Sequence, residues 1–139
     1  MALQMNDATR NARLDTIEST NGTSCALEIR TGAQPATCAT AGSGTVLVTI
    51  NLPTDWMGAA ASGAKVIAGT WQDASADATG TAAHFRIYNS QATKDNTTCF
   101  MQGSVTATAG GGDIELNNTS IASTQQVTIT AFSLTDGNA

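Results

Sequence analysis

Charge is what this 139-residue chain has least of: Asp, Glu, Lys and Arg together make up 12%, against roughly 25% in an ordinary soluble domain. Its six basic residues are scattered, and with eleven acidic ones they leave a net charge of −5. No basic footprint for a phosphate backbone exists, so nucleic acid is not an expected partner. No apolar run approaches the roughly 18 residues that a membrane span requires, and the first residues lack the charged-then-apolar layout of a signal peptide. The chain therefore reads as soluble, unexported and without a membrane partner. A single histidine, His84, and no G-x-S-x-G elbow leave a Ser-His-Asp triad without its parts, and the alternation around His84 makes it a half-exposed strand residue. The three cysteines, Cys25, Cys38 and Cys99, include no C-x-x-C pair, so a metal site is not expected and free thiols are the plain reading. A Cys25–Cys38 or Cys38–Cys99 disulfide stays open, because spacing does not fix pairing.

Other apparent motifs dissolve on inspection. Asp73-Ala74-Ser75-Ala76-Asp77 lacks the D-x-D-x-D-G alternation of a calcium loop and reads as a solvated loop. Gly110-Gly111-Gly112-Asp113 leads into Ile114-Glu115-Leu116 rather than into a lysine-bearing helix, which makes it a turn and not a phosphate cradle. No cofactor and no catalytic residue is expected, and the chain reads as a non-enzyme.

What is present is a surface of Thr, Ala, Gly, Ser and Asn over a short set of apolar alternations. A helix is expected over Asn6–Ser19, with Asn6 as cap, Asp7 at the positive end of the dipole and Asn21-Gly22 as stop. From Cys25 onwards the period changes from helical to two. Leu27 and Ile29, then Val46, Val48 and Ile50, mark two strands separated by a long Gly/Ala/Thr loop, Thr31–Gly44. Further strands are expected over Lys65–Trp71, Gly80–Asn89 and Thr98–Thr108, the last with a weak point at Gly103. The triple glycine forms a hairpin into Ile114 and Leu116, and Gln125–Leu134 closes the chain with a phase switch that implies a bulge near Ala131. Eight short strands at regular spacing indicate a mainly β chain, an antiparallel β-sandwich or jelly-roll-like domain with a short N-terminal helix and arm. Residues 1–22 form the arm and helix; residues 23–139 form the β-sandwich domain.

Two surfaces could bind a partner. Leu3, Met5, Leu14 and Ile17 give the arm and helix an apolar stripe that the β domain need not bury, so it docks either on a neighbouring molecule or on its own sandwich. On the first reading, removing Met1–Ser19 leaves a folded β domain with weakened assembly. Trp56, Trp71 and Tyr88 form a stacking platform for sugar if exposed and coplanar, and plug the core if buried.

Specific runs carry a resemblance. Arg10-Asn11-Ala12-Arg13-Leu14-Asp15, Leu27-Glu28-Ile29-Arg30-Thr31-Gly32-Ala33, the stretch from Gly69 to Ala82, His84-Phe85-Arg86-Ile87-Tyr88 and Phe132-Ser133-Leu134-Thr135-Asp136 resemble small structural proteins of tailed bacteriophages and prophages. The resemblance implies a virion-associated part without catalytic motif, preferentially a capsid decoration (cement) protein made in the host cytoplasm. Such a part sits on the outer capsid surface as a homotrimer, with the major capsid protein and copies of itself as partners. A tail, collar or head–tail joining protein, and a carbohydrate-binding module on the particle, are the alternatives.

Overall fold

The computed structural model describes residues 2–137. Its one helix, α1, spans Asp7–Asn21: the Asn6 side chain accepts from the Thr9 amide at 2.9 Å, and Asp7 occupies the first turn. These contacts satisfy an amide that would otherwise lack a partner and place a negative charge at the positive end of the dipole. The helix outlasts its expected end by two residues, because the Asn21 side chain donates to the Ile17 carbonyl at 2.7 Å before Gly22 stops it. Gly22 adopts φ 77°, a left-handed conformation that glycine takes without strain, and its amide donates to Glu18 O.

The strands are β1 (Ala26–Arg30), β2 (Val46–Asn51), β3 (Ala64–Val66), β4 (Trp71–Asp73), β5 (Gly80–Thr81), β6 (His84–Tyr88), β7 (Cys99–Ala107), β8 (Ile114–Leu116), β9 (Ser120–Ile121), β10 (Val127–Ile129) and β11 (Ser133–Thr135). The central sheet runs β2-β1-β6-β7-β8, and three two-stranded ribbons pair β10 with β4, β11 with β3 and β5 with β9. The chain is thus mainly β and, apart from one pairing, antiparallel.

That one pairing corrects an expectation. The glycine-rich turn does not make a hairpin: β8 lies parallel to β7, with Val105 beside Ile114 and Ala107 beside Leu116. The chain doubles back far enough for Asp113 to reach Ser104, whose amide and hydroxyl both donate to Asp113 Oδ2 at 2.8 Å, and then runs forward again. Glu115 fastens the returning loop by accepting from the amides of Ala109 and Gly111. Three other expected strands are broken. Lys65–Trp71 divides into β3 and β4 at Gly69, whose φ of 68° is outside the extended region, and Gln125–Leu134 divides into β10 and β11 rather than continuing through a bulge. Gly80–Asn89 divides into β5 and β6 because the chain changes sheets between them: the Ala82 amide donates to Thr119 O beside β9, and the Ala83 amide to Arg30 O of β1.

One face of the central sheet carries Leu27, Ile29, Val48, Ile50, Phe85, Ile87 and Val105, all buried against Trp71, Val127, Ile129 and Phe132 from the ribbons. Five of the six aromatic rings form a contact chain through this core: Phe100 to Trp56 (5.9 Å between centroids), Trp56 to Trp71 (6.3 Å), Trp71 to Phe132 and Phe132 to Phe85 (both 5.7 Å). Both indole N–H groups are satisfied, Trp56 by Gly22 O and Trp71 by Trp56 O, each at 3.2 Å. The few large rings are spent on the core, as burial of bulky apolar area demands in a chain so short of them.

The acidic stretch after β4 is more than a solvated loop. Asp73 accepts from the Thr49 amide at 3.1 Å and Asp77 from the Thr49 hydroxyl at 2.7 Å, while the Asp77 amide donates to Leu47 O. It covers the outer edge of β2, which would otherwise offer unpaired backbone groups to another chain.

Candidate functional site

The N-terminal helix is fixed to its own β domain, and mainly by polar contacts. Asn11, Asp15 and Glu18 recur at helical spacing and accept from the amides of Gly63 (2.9 Å), Ala60 (3.0 Å) and Met57 (3.2 Å), so one stripe of α1 reads an antiparallel stretch of backbone. Lys65 of β3, its side chain 2% exposed, reaches the same stripe and pairs with Asp15 at 2.7 Å and Glu18 at 3.0 Å. Burial works to lower the Lys65 pKa, yet the two carboxylates outweigh it and hold it above the ordinary value. The hydrogen bond from Lys65, aided by the Ala60 amide, holds Asp15 below the ordinary carboxylate value. At the other end, Arg10 Nε donates to Asp136 O at 2.6 Å and Arg13 pairs with the Asp136 carboxylate at 3.2 Å.

This docking divides the four candidate partner-binding residues. Leu14 is buried and Ile17 packs against the domain's core, so neither faces a neighbour. Met5 is half-buried, with the Arg13 guanidinium at 3.3 Å from its sulfur. Leu3 stands out at 81% exposure on the irregular segment that precedes the helix. The other large exposed apolar side chain among the described residues is Val66, at the rim of an open groove of about 480 Å³ that Ile67, Phe132, Asp113 and Glu115 also line.

The aromatic platform is absent. Trp56, Trp71 and Tyr88 are all buried, at 0%, 0% and 1% exposure, so none offers a face for stacking on sugar.

The second face of the central sheet holds a layer of buried polar side chains, and His84 belongs to it. His84 is buried, not half-exposed, because the loop between β1 and β2 folds across its strand. Glu28 Oε2 accepts from Arg30 Nε (2.9 Å) and from the Tyr88 hydroxyl (2.9 Å), with Arg30 Nη2 at 2.8 Å. Burial first, then the Glu28 charge, pushes the Tyr88 pKa up. Four side chains of the sheet grip the overlying loop by its carbonyls: Arg86 donates to Cys38 O (2.6 Å), Gln102 to Pro35 O (2.7 Å) and Arg30 to Ser43 O (3.3 Å), and His84 Nδ1 lies 3.1 Å from Gly32 O. Arg86, 0% exposed, also donates from Nε to the Cys99 sulfur at 3.2 Å. Burial, and then the nearby Arg30 and Arg86 cations, hold the His84 pKa below its ordinary value against the opposing pull of Gly32 O. His84 is therefore a neutral structural contact at neutral pH.

Alternation sets Glu28, Arg30, His84 and Arg86 on the face opposite the apolar residues and makes His84 half-exposed, but it carries no sign that a fourteen-residue loop covers that face. The Asn11–Asp15–Glu18 spacing was visible, but an acidic stripe reads as a solvated face until a buried lysine is found opposite. Among the described residues no three His, Cys, Asp or Glu side chains converge as metal ligands. No protein-family model, curated protein or solved structure matches this chain.

Proposed function

We propose that this chain is a non-catalytic structural component of a tailed-bacteriophage virion, and within that class a decoration protein on the outer capsid surface. It binds the major capsid protein and copies of itself as a homotrimer, and cements subunits of the shell together. The observation that carries the reading is Leu3: a large apolar side chain, 81% exposed, on an arm that leaves a helix fixed to its domain by a buried lysine and backbone-reading side chains. An arm so anchored transmits whatever it grips to the whole domain, which is what a cementing contact requires. The sheet and the ribbons enclose one core between two layers, and we read this arrangement as a small β-sandwich. Its low charge and hydroxyl-rich surface suit contacts made by hydrogen bonding and close packing, and three linked copies multiply a weak single contact. The likeness of the Arg10–Asp15, Leu27–Ala33 and His84–Tyr88 runs to phage structural proteins supports the same class.

The test is the number of copies per purified virion, measured by quantitative mass spectrometry against the major capsid protein. A ratio of one to one, or a simple fraction of it, is expected. A ratio of a few per cent would replace cementing by a tail, collar or head–tail joining role, and absence from particles would overturn the virion reading.

A further inference from the structure

We propose that Cys38 and Cys99 are a redox-responsive pair that closes into a disulfide, locking the Thr31–Gly44 loop onto β7. The inference is independent of the virion reading.

One guanidinium organises the pair. Adjacent donors on the same edge of Arg86 hold the Cys38 carbonyl (Nη2, 2.6 Å) and the Cys99 sulfur (Nε, 3.2 Å), so a loop residue and a strand residue 61 positions apart are brought to a single fork. The Cys99 thiol is one of the groups that raise the Cys38 pKa, and both residues are half-buried rather than sealed. Pro35, Gly32 and Ser43 are each held to the sheet by their carbonyls, so the loop on either side of Cys38 is fixed. Closure then requires the two sulfurs to reach bonding distance, about 2 Å.

Cys25 is excluded from this chemistry. It is fully buried beyond the end of α1, with its thiol directed to the carbonyls of Asn21 and Gly22 and away from the overlying loop. Burial, followed by the Cys99 thiol, raises Cys38 to about 11 against the opposing Arg86 charge, so little Cys38 thiolate forms at neutral pH and its reaction is slow.

With glutathione disulfide as oxidant the step balances. One cysteine thiolate attacks a glutathione sulfur, forms a mixed disulfide and releases one glutathione thiolate. The second cysteine thiolate attacks the protein-bound sulfur of that mixed disulfide and releases the other. Two protein thiols lose two electrons and two protons, and glutathione disulfide takes them up as two glutathione thiols.

The experiment uses the full wild-type chain, so no variant has to fold. The protein is incubated natively with glutathione disulfide, alkylated, digested with trypsin without reduction and analysed by mass spectrometry. Cleavage after Arg13, Arg30, Lys65, Arg86 and Lys94 places Cys25, Cys38 and Cys99 in the separate peptides 14–30, 31–65 and 95–139. A 31–65/95–139 cross-link is expected, with 14–30 alkylated, whereas the chain in denaturant should yield mixed pairings. The oxidised protein should melt roughly 10 °C higher, a shift reversed by dithiothreitol. Native cross-links to 14–30, or stable glutathione adducts on Cys38 and Cys99 in place of a cross-link, would overturn the pairing. The correct cross-link with no gain in melting temperature would overturn the lock.

Discussion

Gly103 shows how a single absent side chain can decide a packing. It lies opposite Phe85 in the β6–β7 pair, and a methyl group built on it would stand 2.7 Å from the Phe85 ring and 2.7 Å from Asp113 Oδ2. The ring sits over the bare backbone, and Asp113 closes in to bind Ser104. Gly103→Ala should therefore push Phe85 away from Phe132 and loosen the β8 return. The expected cost is about 1–3 kcal/mol, or a melting temperature lower by roughly 3–10 °C in a thermal scan. Combining it with Phe85→Leu should recover part of the loss, and an unchanged melting temperature in the single variant would contradict the account. The sequence marked Gly103 as a weak point in a long strand. That it is a point of close approach required knowing which ring lies across from it, and cross-strand register is a non-local property.

At the scale of elements, α1 illustrates both what pattern reading delivers and where it fails. The cap at Asn6, the acidic first turn and the glycine stop are local chemistry, and the helix lies within two residues of its expected bounds. Its docking is governed by Lys65, fifty residues from Asp15, and no hydrophobic periodicity announces a seam made of carboxylates and amides. The seam should respond to pH at both ends. Asp15 has a depressed pKa, so its contribution is complete above the ordinary 3.8 and is lost as pH falls through the lower folded value. Lys65 has a raised pKa, so its contribution is complete below the ordinary 10.5 and is lost as pH rises through the higher folded value. Amide hydrogen exchange in α1, relative to that in β1 and β6, should accelerate below pH 3.8 and above pH 10.5. Lys65→Met should remove the alkaline limb and raise α1 exchange at neutral pH; equal protection of α1 in both proteins would contradict the anchoring role. The same distinction explains the strands: alternation located β1, β2, β6 and β7, whereas the parallel β7–β8 pairing depends on contacts of Asp113 and Glu115, and the division of β3 from β4 on the positive φ of Gly69 and its close approach to Pro53.

For the whole molecule, the firm docking of α1 changes which truncation tests the proposed assembly. Removing Met1–Ser19 would strip Lys65 of both its carboxylates and uncover the surface that Leu14 fills, so lost assembly could not be told from a damaged domain. The informative deletion ends at Met5. It takes away Leu3 while keeping Asn6 as cap and every contact of Asn11, Asp15 and Glu18. A chain lacking residues 1–5 should melt no more than roughly 4 °C below the full protein, since the exposed Leu3 contributes little and the half-buried Met5 with its Arg13 contact contributes about 1 kcal/mol. If the arm carries the inter-subunit contact, light scattering should show the trimer population falling at least roughly tenfold at equal concentration, the effect of about 1.4 kcal/mol per arm. Capture by purified capsids should fall further, because losing one contact per copy is compounded across three linked copies. Leu3→Asp in the full chain should reproduce the loss with the arm's length intact, separating apolar contact from mere reach. An arm-deleted chain that still forms trimers and still binds capsids would remove Leu3 from the interface and shift attention to the groove at Val66, the second large exposed apolar side chain among the described residues.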